Sequence, residues 1–153
     1  MHADDLRAEG AHEAARRQTR AAIEQAGAIA VVRLTDASAA RDAITCLRDA
    51  GVTAIEITLT MGDALPLIEW AARDSALLVG AGSVLTPAQA DDAIAAGARY
   101  VVSPIHEPAV VAAAHRHGIA ALPGAYTPTE AYRAHTGGAD FVKLFPADGL
   151  GPG

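Results

Sequence analysis

With 153 residues, 51% of them apolar but only 4% aromatic, the chain has the length of one domain and must build its core from alanine and aliphatic side chains. Its formal net charge of −6 excludes a broad basic face for gripping nucleic acid, so any anionic ligand must be held by a few local cations. The lone Cys46 excludes an intrachain disulfide, no apolar run reaches the ~18 residues of a membrane helix, and Met1-His2-Ala3-Asp4-Asp5-Leu6 lacks a secretory pattern; the expectation is a cytoplasmic chain with no membrane partner.

Residues 1–27, charged and alanine-rich, read as one extra helix to which no chemistry is assigned, ahead of a domain over 28–153. From there short apolar segments alternate with helical ones, giving strands near 28–33, 52–59, 76–80, 99–103, 119–123 and 139–145. The strand ends Arg33, Glu56, Gly80, Ser103, Gly124 and Lys143 fall 23, 24, 23, 21 and 19 residues apart, a βα period. Ala40, Ala43, Ile44 and Leu47 form the stripe of a helix packed on a sheet, and Cys46 beside them reads as a small core residue. Thr86-Pro87-Ala88-Gln89 and Thr127-Pro128-Thr129-Glu130 each spell a capping box with proline at the first helical position. Gly51, Gly97, Gly118 and Gly137 stand where helices should stop in left-handed caps.

Successive βα units with short connections make parallel sheets, either a closed (β/α) barrel or an open doubly wound sheet. Unusual residues recur at strand end after strand end, which favours a barrel, whose active site gathers from many strands. An open sheet would concentrate its site at one switch point, and Gly80-Ala81-Gly82 lacks the third glycine of a dinucleotide fingerprint.

Arg33, closing the first strand, offers a planar fork for a carboxylate or phosphate. In Ala54-Ile55-Glu56-Ile57-Thr58-Leu59, strand alternation sends Ile55, Ile57 and Leu59 toward the helices and Ala54, Glu56 and Thr58 inward. Gly80-Ala81-Gly82-Ser83 offers backbone N–H groups and a hydroxyl to an anionic oxygen. His115 and His117 are two positions apart and point in different directions on a helix; with His106 and His135 they read as solvated, and no metal is expected. The last strand, Phe141-Val142-Lys143-Leu144-Phe145-Pro146, sets a lysine among apolar neighbours on both faces. Burial there would favour the neutral amine, a nucleophile toward carbonyls; the same residue is also compatible with a strand-end lysine that reaches solvent or pairs with a carboxylate. Glu56 and Lys143 are an acid and an amine from different strands, both aimed inward, as a catalytic pair or a structural ion pair.

Taken together, Val31-Val32-Arg33, Ile55-Glu56-Ile57-Thr58, Gly80-Ala81-Gly82-Ser83, Val102-Ser103-Pro104, Leu122-Pro123-Gly124 with Thr127-Pro128-Thr129-Glu130, and Lys143-Leu144-Phe145-Pro146 resemble the class I 2-keto-3-deoxy-6-phosphogluconate aldolases, whose members often also cleave 4-hydroxy-2-oxoglutarate. The resemblance implies a TIM-type (β/α)8 barrel, a lyase of the Entner–Doudoroff pathway with no cofactor, and a homotrimer. It implies that Lys143 forms a Schiff base with a 2-keto acid, that Glu56 shuttles protons through a water, and that Arg33 and Ser83 hold the pyruvyl carboxylate. Pro104 and Phe145 would shape the pocket, with Thr58, Gly82 and Gly124 beside the substrate.

Three departures accompany it. Thr60 stands where some members carry an arginine, and Ser83 replaces the more usual threonine. Family members also continue past the lysine strand with two more βα units that bind the substrate phosphate, whereas this sequence ends at Gly151-Pro152-Gly153. About six of eight units, with two open edges, is the expectation, whether the chain is a fragment, a shortened product, half of a split enzyme, or a non-catalytic barrel piece that acts through another chain.

Overall fold

Parallel pairing in chain order organises the computed structural model, which describes residues 3–149, with side chains for 7–149; the Met1-His2 start and the Gly151-Pro152-Gly153 ending lie outside the described residues. A long helix α1 (Ala3–Ala26) precedes β1 (Ala30–Val32), α2 (Ala37–Asp49), β2 (Ala54–Thr58), α3 (Ala64–Ala71), β3 (Leu78–Gly82), α4 (Pro87–Ala95), β4 (Tyr100–Val102), α5 (Pro108–Arg116) and β5 (Ala120–Leu122). The chain continues through β6 (Gly124–Ala125), α6 (Pro128–Thr136) and β7 (Lys143–Leu144). Strands β1 to β5 neighbour one another in sequence order, and β6 pairs with β7. This is the order of a barrel wall; a doubly wound sheet would reverse direction at a switch point.

Pro123 explains why β5 and β6 register as two strands. It brings no N–H to the ladder, yet its carbonyl still accepts from Lys143 N–H at 2.9 Å. Asp140 N–H donates to Ala121 O and Phe145 N–H to Ala125 O, so β6 continues the line of β5 and β7 runs beside both, with one extra residue between Asp140 and Lys143. Six parallel strands therefore share one wall, the first five each followed by a helix.

Alternation along that wall makes two apolar layers. Ile55, Ile57, Val79, Ala81, Val101 and Ala121 meet the helices, including Ile44 of α2 and Leu67 and Ile68 of α3. Tyr100, Val102, Ala120 and Leu122 face inward and pack with Ile23, so α1, the helix expected over 1–27, closes on the inner layer. Both capping boxes form as read, at Thr86–Gln89 and Thr127–Glu130. Among the described residues no helix is long and apolar enough to cross a membrane.

Four expectations need correction. Cys46 is exposed: it sits two positions past Ile44, about 200° around α2 from the buried stripe. Gly137 keeps an ordinary φ of −78°, and the left-handed turn falls on Gly138 at φ 93°. The third strand runs two residues later than expected and takes in Gly80 and Gly82, so their N–H groups belong to a buried strand and not to an open anion-binding loop. The flanks of the lysine strand are not enclosed, since Leu144 on β7 is 59% exposed, as is Val31 on β1 at 51%.

Candidate active site

Glu56 occupies the centre of β2, where both faces of the strand are buried, and only 3% of it reaches solvent. Gly82 explains how a carboxylate fits there: a Cβ at that position would overlap the Glu56 carboxyl, so the absent side chain on β3 is the space the acid occupies. Burial pushes the Glu56 carboxyl above its usual range, opposed by the charges of Lys143 and Arg33.

Lys143 opens β7 and brings Nζ to 3.8 Å from Glu56 Oε2, an ion-pair distance longer than a hydrogen bond. A third of its side chain is exposed, so of the two readings of the apolar segment the geometry matches the strand-end lysine that reaches solvent and pairs with a carboxylate, not the enclosed amine. Its ammonium also lies 5.2 Å from the centroid of the Phe145 ring, in cation–π range. Arg33 is exposed just past β1, on the inward phase of the alternation, and its charge is felt at Glu56. These three residues come from three strands, as a barrel rim provides.

The other candidates lie around them. Thr58 is fully buried at the end of β2 and shares a hydrogen bond with Thr60, Oγ1 to Oγ1, at 2.9 Å. Ser83 follows β3 with φ 59°, a left-handed conformation that non-glycine residues rarely adopt and that tends to concentrate at functional sites. Pro104, Gly124 and Phe145 line a cavity of about 790 Å³ together with His106, Tyr126 and Arg133. Gly124 is there because a Cβ would run into the Pro104 backbone. Lys143, Glu56, Ser83 and Arg33 lie outside that cavity's lining; Phe145 connects the two groups, lining the cavity and carrying the Lys143 ammonium over its ring.

Tyr100 and Asp140, two residues with buried polar side chains, were not singled out by the sequence reading. Tyr100 is fully buried in the inner layer and its hydroxyl has no partner among the described residues. Asp140, its side chain 1% exposed, accepts from the Ala121 N–H at 2.9 Å, shares a 3.1 Å hydrogen bond with His115 Nε2, and pairs with Arg20 at 3.1 Å. Burial opposes the Asp140 charge, but His115, the Ala121 N–H and Arg16 outweigh it and hold the carboxyl below the usual range. The histidines expected in solvent accordingly divide. His135 is exposed and His117 meets Asp91 at the surface, while His115 is partly buried and His106 has a buried Nε2 without a partner among the described residues.

Comparison with known proteins places these features in a family. The profile described as "Aldolase: KDPG and KHG aldolase" matches residues 19–152. A protein of Rhizobium meliloti (strain 1021) named "Probable 2-dehydro-3-deoxy-6-phosphogalactonate aldolase" is 42% identical over 126 residues, covering 81% of this chain and 59% of its own. Among solved structures, a "4-hydroxy-2-oxoglutarate aldolase/2-deydro-3-deoxyphosphogluconate aldolase from TTHB1" superposes with TM-score 0.73 at 36% identity, over 85% of this chain and 64% of that one. A Legionella pneumophila KDPG aldolase "with pyruvate captured at low pH as a covalent carbinolamine intermediate" gives TM-score 0.71 at 30% identity, over 78% and 58%. The chain spans about three-fifths of the length of these relatives.

Proposed function

The chain belongs to the KDPG and KHG aldolase family, and on that footing we propose that it works as a Schiff-base aldolase, with Lys143 as nucleophile and Glu56 moving the protons. One observation carries the proposal: an amine and a carboxylate raised above its usual range converge from β7 and β2 at 3.8 Å on the inner face of the wall. A carboxyl tuned upward gives and takes protons nearer neutral pH, as general acid–base chemistry requires.

The uncharged Lys143 amine attacks the C2 ketone of a 2-keto acid, the carbinolamine loses water, and a protonated imine results. Glu56, through a water, takes the C4 hydroxyl proton; the C3–C4 bond breaks, its electron pair flows into the imine, and an aldehyde leaves. Protonation of the resulting enamine at C3 and hydrolysis release pyruvate and return the amine. Arg33 and Ser83 hold the pyruvyl carboxylate, with Thr58 and Gly82 beneath it. Pro104, Gly124 and Phe145 bound the cavity that receives the rest of the substrate.

The substrate proposed is a 2-keto-3-deoxy-6-phosphoaldonate, 2-dehydro-3-deoxy-6-phosphogluconate first, yielding pyruvate and glyceraldehyde 3-phosphate. The double name of the TTHB1 structure favours 4-hydroxy-2-oxoglutarate, cleaved to pyruvate and glyoxylate, as the second reading. Further copies of the chain are its proposed protein partners. Pyruvate with borohydride tests the chemistry, because Lys143 is the only lysine in the sequence. Mass spectrometry should locate the adduct on the Lys143 peptide, and Lys143→Met should abolish both adduct and turnover. A demonstrably folded chain left unmodified would remove the Schiff base, and with it the enzyme reading in favour of a non-catalytic barrel piece.

A further inference from the structure

Tyr100 is a buried titratable side chain that the proposed chemistry leaves unused. The sheet register puts it in one row with the candidate base: Gly80 of β3 pairs with Glu56 on one side and Tyr100 on the other. Residues in such a row share a face, and here the middle member has no side chain to separate its neighbours. The Tyr100 ring fills that gap, because its Cδ2, Cε2 and Cζ atoms stand where a Cβ of Gly80 would be. The ring thus leans across β3 toward β2, and the Glu56 carboxyl lies over Gly82, one step along the same inner face. Two glycines of one strand make room for an acid and a phenol.

A buried hydroxyl without an acceptor is unfavourable, and Tyr100 Oη has no partner among the described residues. We propose that Tyr100 is a positioning residue for Glu56: its hydroxyl donates to the carboxylate through one trapped water and holds the carboxyl in the orientation that faces Lys143. This rests on the reading of Glu56 as the proton carrier. The charged or titratable groups that face Glu56 are Lys143 from β7, Arg33 past β1 and Tyr100 from β4, while β3 contributes only its glycines. Burial and then the Glu56 charge push the Tyr100 phenol far above its ordinary range, so it keeps its proton and donates toward the carboxylate through that water. A donor to the charged form lowers the carboxyl's pKa and partly offsets the effect of burial.

The test is Tyr100→Phe, which deletes one oxygen and keeps the ring. Carboxyl-labelled NMR should show the Glu56 titration moving up by about one pH unit in the folded variant. The acid limb of the kcat profile should move with it while KM and pyruvate trapping hold. A folded Tyr100→Phe chain whose Glu56 titration stays in place overturns the proposal, because ring packing alone would leave it there. The reciprocal measurement covers a variant that fails to fold: Glu56→Gln should let the Tyr100 phenol, followed by ring-carbon NMR, titrate at lower pH, and an unmoved phenol is equally decisive. Both titrations are read without turnover, so loss of the Glu56 proton-carrier reading, seen as full activity in Glu56→Gln, remains a separate result.

Discussion

Glu56 and Asp140 are both carboxylates withdrawn from water, and the protein treats them in opposite ways. Asp140 is surrounded by donors, with the Ala121 N–H and His115 in hydrogen-bond reach and Arg20 and Arg16 behind them, and its carboxyl is held low. Glu56 is buried beside a glycine, its nearest cation lies 3.8 Å away, and its carboxyl is pushed high. A buried charge supplied with donors is a structural joint, here tying α1 and α5 to the approach to β7. A buried charge left short of donors is held in a state it gives up readily, which suits proton transfer and contributes little to stability.

Exchanging each acid for its amide is the sharpest way to break this contrast. Glu56→Gln should lower kcat about 10²–10⁴-fold, the usual share of a general acid–base group, with pyruvate trapping on Lys143 partly retained. Its stability in urea should stay within about 1 kcal/mol of the parent or rise, because a desolvated charge has been removed. Unchanged turnover would make Glu56 a structural partner like Asp140. Asp140→Asn should do the reverse, losing about 2–4 kcal/mol of stability as His115 and the arginines of α1 lose their acceptor, with trapping by pyruvate unaffected below the melting transition.

Two glycines offer a smaller version of the same exchange. In Gly82→Ala the new methyl meets the far end of a flexible side chain, so Glu56 should swing aside, turnover should fall about 10- to 100-fold, and the fold should survive. In Gly124→Ala the methyl meets the Pro104 backbone, which has nowhere to go, and stability should fall by about 1–3 kcal/mol. Equal activity losses at equal stability would show that Gly82 does no more than Gly124.

Those glycines also mark where the sequence stopped being readable. Alternation is a local rule, so it was enough to aim Glu56 and Lys143 at one another from β2 and β7, and capping threonines with their Gln and Glu announced α4 and α6 from four residues each. The reason for Gly80 or Gly82 lies on the neighbouring strand, in the Tyr100 ring and the Glu56 carboxyl, and a pattern read along one segment took both glycines for an open anion-binding turn. Asp140 was invisible for the same reason: its partners come from α1, α5 and β5, and only the spacing of Arg16 and Arg20, one helical turn apart, hinted at a shared acceptor. Cys46 misled because its apolar neighbours in sequence lie on the other side of the helix.

The mildest test follows stability against pH, where the two carboxylates should pull in opposite directions. Asp140 titrates lower in the folded chain than in the unfolded one. Its contribution is therefore complete above the unfolded value near pH 4 and is lost as pH falls through the lower, folded value. Glu56 titrates higher when folded. The chain then binds more protons folded than unfolded, so stability is fullest below the unfolded value near pH 4 and declines as pH rises through the raised, folded one. Urea midpoints measured from about pH 3 to pH 8 should accordingly rise and then sag in the parent chain. Asp140→Asn should reduce the acid-side rise, to which Glu13, Asp74 and Glu130, also held low by their partners, still contribute, and Glu56→Gln should flatten the decline on the neutral side. If the decline persists unchanged in Glu56→Gln, the burial of that carboxylate is fully compensated in the folded chain, and the difference from Asp140 on which its proton-carrying role depends is gone.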